Sequence, residues 1–227
     1  MRITERDIRL LRLIALSQAM TRDHIIREGL FNSVTRVNTR LRQLIGLGLA
    51  RRLETPFFSQ SIYCVTSKSA DYLGERVGPL VAGRVGSPRF IQHALMVNET
   101  RLEMKRRGMI QWRFEQQLWK TFDHGSQRYQ IKPDGLAILP DKYILIEVDL
   151  GHTATKKYAD KLNGFDAFVA SGLCKSTWQA EQLRVLTLTT GERRRRTLES
   201  LTPKNARFLH YVLTFEQFNV PMIGAWS

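Results

Sequence analysis

The chain has 227 residues, is 43% hydrophobic, and carries a formal net charge of +14 with a pI near 10.3. That apolar share is enough to build a core and excludes gross disorder. The charge points to nucleic acid as partner ahead of an acidic membrane or an acidic protein. Two distant cysteines, Cys64 and Cys174, exclude a disulfide framework or a cysteine-rich zinc cluster and suit a reducing, cytoplasmic compartment. No apolar run is long enough to span a membrane, and the charged N-terminus lacks the apolar core of a signal peptide.

In chain order, Thr4 is a good N-cap with Asp7 three residues on. The helix that follows puts Ile8, Leu11, Ile14 and Ala15 on one face and ends near Ser17. Thr21 caps a shorter helix holding His24, Ile25 and Ile26, which stops at Gly29. Ser33 caps a third. Its apolar positions Val34, Val37, Leu41, Leu44 and Ile45 share a face, and Thr35, Arg36, Asn38, Thr39, Arg40, Arg42 and Gln43 lie on the other. Two strand-like runs follow, 50–55 and 61–65, joined by a loop that contains Gln60. Thr66 then opens a further helix to Gly74. Three short helices, the third basic, followed by a β-hairpin, is the order of a winged helix-turn-helix. Arg and Asn on the third helix can read guanine and adenine edges bidentately in the major groove, and a wing at Gln60 would touch the backbone or minor groove. The expected double-stranded DNA contacts are therefore Thr35, Arg36, Asn38, Thr39, Arg40, Arg42 and Gln60. The plainer alternative is a surface helix kept soluble by its charges, or a protein interface.

Gly78, Pro79, Gly83, Gly86, Ser87 and Pro88 punctuate a linker. The expected division is a winged helix-turn-helix domain at 1–77, a linker at 78–89, and a second domain at 90–227. In the second domain, a helix over 90–107 carries Glu99 and Glu103 one turn apart. A strand over 109–115 follows, then a polar loop or poorly defined strand at 116–130. Next comes the hairpin KPDGLAILPDKYILIEVDLGH, residues 132–152. Thr153 caps a helix with Tyr158, Leu162, Phe165 and Phe168 on one face. A strand at 184–189, a very basic helix from Glu192 and a last strand at 209–215 complete the chain. The fold class expected is α+β, with a C-terminal α/β domain built on a mixed central sheet.

Residues 131–190 carry seven Lys+Arg against seven Asp+Glu, which makes this the one neutral stretch of a basic chain. A turn centred on Pro140-Asp141 sets Leu139 opposite Lys142 and, counting back, Asp134 opposite Glu147. Asp149 then lies on the same face, opposite Lys132. Three clustered carboxylates repel one another, and Mg²⁺ or Mn²⁺ would relieve the repulsion and serve phosphodiester cleavage, with Asp134, Glu147 and Asp149 as ligands. Lys161, or its neighbour Lys157, would neutralise transition-state charge. The alternative is a set of structural acids paired with Lys132, Lys157 or Lys161. His152 lies beside the acidic end as an ordinary loop residue or a site residue. Arg193–Arg196 is a solvated basic run or a phosphate-contact patch.

Pro133-Asp134 followed by Glu147-Val148-Asp149, in a helix–meander–helix–strand order, resembles the PD-(D/E)XK restriction-endonuclease-like fold. That resemblance implies catalytic roles for Asp134, Glu147, Asp149 and Lys161. Asp149 stands where the motif has lysine, and a lysine on the following helix takes over in some members, a role open to Lys161 or Lys157. Glu99 matches the acid that some members carry on the first helix. Over nearly its whole length the chain resembles the replication-relaxation proteins of plasmids and mobile elements, through IRLLRLI, VTRVNTRLRQLIGLGLARRL, HALMVNETRLEM, PDG, IEVDLGHT and KYADKL. This implies DNA binding in replication, relaxation or transfer of mobile DNA, with a nuclease-like domain that need not be active. The alternatives are a Mg²⁺-dependent endonuclease or nickase, and an antitoxin-like repressor. A homodimer is an expected partner arrangement, because winged helices often read paired half-sites.

Overall fold

The computed structural model describes residues 2–54, 58–74 and 87–223. Most of the expected linker, and part of the loop before Gln60, lie outside the described residues. The chain divides into two compact units, 1–102 with 222–227, and 103–221. The division therefore falls later than 78–89, inside a helix.

The first unit opens with α1 (Glu5–Ser17), β1 (Met20–Thr21), α2 (Arg22–Arg27) and α3 (Val34–Gly46). The side chains of Thr4, Thr21 and Ser33 each accept a backbone N–H at the first turn of their helix. Such caps are worth about 1 kcal/mol each. Strands β2 (Ala50–Leu53) and β3 (Ile62–Val65) follow, then a 3₁₀ turn and α4 (Ala70–Leu73). The small sheet has the order β1-β3-β2 and is antiparallel throughout. The two-residue β1 was not expected, because a strand that short has no alternation to read. Leu10, Leu11, Ile14, Ile25, Val37, Leu41 and Leu44 form the core. On α1 it is Asp7 rather than Ile8 that is fully buried, since Arg40 of α3 comes to meet it.

Helix α5 (Pro88–Arg106) carries the unit boundary at 102/103. Its N-terminal part belongs to the first unit for a physical reason. Ile91, Ala94 and Leu95 pack with Ala19, Phe58, Ile62 and Cys64, and Asn98 Nδ2 donates to the Ala19 carbonyl at 2.9 Å. Glu99 accepts from His24 at 2.9 Å and from Arg27 at 2.7 Å, and Arg101 pairs with Glu28. Burial of Glu99 opposes its ionisation, but His24 and Arg27 outweigh it and hold the carboxyl below the usual range.

The second unit contains β4 (Gln111–Phe114), α6 (Glu115–Leu118), β5 (Lys120–His124), β6 (Gln127–Ile131), β7 (Gly135–Leu139) and β8 (Lys142–Asp149). Helices α7 (Thr155–Ala170) and α8 (Leu173–Trp178), β9 (Arg184–Thr189), α9 (Glu192–Ser200) and β10 (Leu209–Thr214) complete it. The central sheet is mixed, in the order β10-β9-β8-β7-β4. Strands β4, β7 and β8 form an antiparallel meander, while β8, β9 and β10 run parallel with helices in the crossovers. The expected loop at 116–130 is instead α6 and the β5–β6 hairpin. Thr153 is not the cap of α7: the N-cap position falls to Ala154, and the Thr153 carbonyl is taken by Arg194.

Leu136, Ile138, Leu145 and Val185 on one face of the sheet pack against Tyr158, Leu162, Phe165 and Phe168 of α7. Two glycines permit close approaches. A Cβ on Gly164 of α7 would lie 3.1 Å from the Gln130 carbonyl of β6. A Cβ on Gly135 would lie 1.9 Å from the Trp112 ring, so the glycine of Pro-Asp-Gly serves an indole lying on β7 rather than a turn.

Candidate functional site

Two charged surfaces follow from this framework. The first is the outer face of α3. Val37, Leu41 and Leu44 turn one side of the helix into the core, and the 3.6-residue period therefore leaves Thr35, Arg36, Thr39, Arg42 and Gln43 exposed on the other. Arg36 and Arg42 form no ion pair among the described residues. Asn38 is half-buried at the margin, and Gln60 is exposed just before β3. Arg40 departs from the expectation. Its guanidinium reaches across to both oxygens of Asp7, which is fully buried, and also bonds Gln43. Burial would raise the Asp7 pKa, but Arg40 and Thr4 hold it below the usual carboxylate range. Arg40 therefore holds α1 to α3 and does not stand on the outer face as Arg36 and Arg42 do.

The second surface is the acidic end of β8. The pairing Leu139↔Lys142 holds, and the ladder runs back to Gly135↔Ile146. The Asp134 N–H donates to the Ile146 carbonyl at 3.1 Å, and its carboxylate accepts the Val148 N–H at 2.7 Å. Asp134, Glu147 and Asp149 are all buried, at 8%, 2% and 3% exposure. Lys161, two turns into α7, forms an ion pair with Glu147. Burial disfavours the Lys161 ammonium, yet Glu147 and Asp134 around it hold its pKa above the ordinary lysine value. Asp134, Glu147 and Lys161 thus come together as expected, while Lys157 is exposed on α7.

Asp149 is held differently. It accepts from Arg194 Nε at 2.8 Å and Nη2 at 3.0 Å, from Thr189 Oγ1 at 2.9 Å and from the Gly151 N–H at 3.2 Å. Burial raises its pKa, and Arg194 with Thr189 outweighs this and lowers it. An ion ligand must offer an oxygen to the metal, and this carboxylate is already saturated by donors. Among the described residues no group of three or more His, Cys, Asp and Glu is arranged to hold a metal ion. The three-carboxylate set therefore does not fit Mg²⁺ or Mn²⁺. The donor chemistry that remains is the neighbouring pair Asp134 and Glu147, and one or two carboxylates suffice for Mg²⁺ when phosphate oxygens complete its shell.

Three further neighbours are placed as follows. Lys132 pairs with Glu115 at 2.9 Å rather than with Asp149. Glu99 is bound to His24 and Arg27 within the first unit. His152 is exposed. Arg194 escaped the sequence reading because a run of four arginines gives no sign of which one turns inward. Its partner lies 45 residues away. Behind the acids, His210 Nε2 lies 3.0 Å from Thr187 Oγ1 and Nδ1 lies 2.7 Å from Thr202 Oγ1. Burial pushes the His210 pKa down to about 4.

Residues 11–179 match the model of the replication-relaxation family, and the chain belongs to that family. The family's description associates it with replication and relaxation. No curated protein matches. Among solved structures, the chain is similar to the crystal structure of protein VC1899 from Vibrio cholerae, at 10% identity and a TM-score of 0.32. The match covers 93% of this chain and 47% of that one, so the chain spans about half the length of that relative. That likeness is too loose to define the fold. No helix among the described residues is long and apolar enough to cross a membrane.

Proposed function

We propose that the chain is a double-stranded DNA-binding protein that acts in the replication, relaxation or transfer of a plasmid or mobile element. Its first unit works as a winged helix-turn-helix that lays α3 in the major groove. The observation that carries this is the two-sided character of α3: one side is packed, and the other offers unpaired Arg36 and Arg42 among Thr35, Thr39 and Gln43. Arginine forks and small hydroxyls are the groups that read base edges and phosphates. The β2–β3 pair that follows stands in the order expected of a wing. The test is duplex binding by the full chain as salt is raised. Affinity should fall steeply and linearly on logarithmic axes as counterions are released. No duplex binding at low salt would overturn the proposal.

A second reading has its own observation, the arrival of Lys161 at Glu147 beside Asp134. The sheet order and the acid-ended β8 agree with a PD-(D/E)XK nuclease-like second unit. In that reading Asp134 and Glu147 would hold a divalent cation, which supplies an activated water and charge neutralisation at the phosphate. Lys161 holds Glu147 in place and keeps a positive charge beside it. Nicking of supercoiled plasmid in Mg²⁺ or Mn²⁺ that Glu147→Gln abolishes is the expected sign. No nicking with either ion overturns the second reading and leaves the first.

A further inference from the structure

Most large apolar side chains of the second unit are in its core, but Trp119 is 58% exposed. It sits where α6 ends and β5 begins, beside Lys120. The Lys132 ammonium lies 5.5 Å from its ring centroid and also 2.9 Å from the Glu115 carboxylate. Glu115 in turn lies within electrostatic reach of Lys161. One turn after Lys161 on α7, a Cβ on Gly164 would lie 3.1 Å from the Gln130 carbonyl of β6, so the helix passes close to the β5–β6 hairpin. The exposed indole, Lys132 and Glu115 thus form one chain of contacts, and the Glu115 carboxylate adds to the negative charge that Glu147 and Asp134 place around Lys161.

An exposed indole forgoes most of the transfer free energy that burial would bring. An exposed aromatic ring flanked by lysines is the arrangement that stacks an unpaired base and follows its phosphates. In an intact duplex the base faces are covered by their neighbours, so such a platform has use only for a strand whose bases are unstacked. We infer that Trp119, with Lys120 and Lys132, is a stacking platform for a single-stranded or locally melted DNA segment, delivering that strand to the Asp134–Glu147–Lys161 cluster. The inference rests on DNA being the partner, as proposed above, and adds the strand state the second unit recognises.

The full chain is titrated with a short oligothymidylate and, separately, with a duplex of the same length. The wild type is compared with Trp119→Ala, Trp119→Leu and Trp119→Phe, each checked for an unchanged melting temperature. Ala and Leu should weaken oligothymidylate binding about tenfold, the loss of roughly one stacked base. Phe should retain most of it, and duplex affinity should stay unchanged in all three. If Ala fails to fold, the Leu–Phe comparison decides, since both keep apolar bulk and only Phe keeps a π face. Equal oligothymidylate affinity for Leu and Phe overturns the inference. So does a wild type that binds duplex and ignores the single strand, or a Trp119→Ala chain that changes only its oligomeric state. Trp119-dependent single-strand binding without any duplex binding would support the platform and overturn the reading of α3.

Discussion

The outer face of α3 and the acidic end of β8 use charge in opposite ways. On α3, Arg36 and Arg42 stand exposed without an ion pair among the described residues. At the end of β8, Glu147 and Asp149 are buried and each meets a cation from a helix, Lys161 on α7 and Arg194 on α9. Side-chain type alone does not separate the two. Arg40 is on the same helix as Arg36 and belongs with the buried pairs, because Asp7 waits for it. The availability of a charge is decided by whether the fold supplies a partner. A buried, paired charge is a matter of stability, and an exposed, unpaired one is a matter of partners.

The largest expected effect comes from removing the cation of a closed pair. Arg194→Ala leaves Asp149 buried with its main partner gone and should cost about 3 kcal/mol or more in urea unfolding. Replacing Asp149 as well, in Arg194→Ala/Asp149→Ala, should recover much of that loss, since no uncompensated charge remains. A double variant no more stable than the single would show that Asp149 is not the reason Arg194 matters. Gly135→Ala comes next. Its methyl must displace Trp112 from β7, an overpacking cost of about 1–3 kcal/mol, read as a lowered melting temperature.

The pairs also predict a pH profile. Burial raises the Asp149, Asp7 and Glu99 pKa values, but their cationic and hydrogen-bonding partners win and lower them. The unfolded chain takes up protons first, so this stability is present above the ordinary carboxylate range and is lost as pH falls through the folded values. His210 acts earlier. Burial depresses its pKa from the ordinary histidine value of about 6.5 to about 4, so stability should decline as pH drops across that window. His210→Phe should flatten the decline between about pH 6.5 and 4 while leaving the carboxylate limb intact. A decline identical in the variant would remove His210 from the account. The smallest effect concerns Cys64, whose thiol burial pushes up to about 12. A thiol reagent should modify it far more slowly in the native protein than in denaturant.

Most of the α3 face was legible in the sequence because a helical period of apolar residues fixes which side is buried, although Val34 of that period is exposed and Arg40 turns to Asp7. The hairpin register was legible because Pro140-Asp141 sets the turn and the count follows. The β5–β6 hairpin was not, since Thr121, Asp123, Arg128 and Gln130 give a polar stretch whose pairing is decided by α7 packing against it. Asp149 was read as a metal ligand from its closeness to Glu147, whereas Glu99 entered only through the family resemblance. In both cases the partners that hold the carboxylate, Arg194 for Asp149 and His24 with Arg27 for Glu99, lie too far along the chain to be seen. The need for a glycine at 135, where Trp112 lies across β7, likewise leaves no trace in the local sequence.

The most direct measurement sets Arg36→Ala beside Arg40→Ala, two positions one turn apart on α3, and records duplex affinity and urea stability for each. The account predicts that Arg36→Ala weakens duplex binding several-fold with stability unchanged. It predicts that Arg40→Ala loses about 3 kcal/mol of stability through the stranded Asp7, while its folded fraction keeps wild-type affinity. Unchanged affinity in Arg36→Ala, together with lost affinity in a stably folded Arg40→Ala, would contradict it.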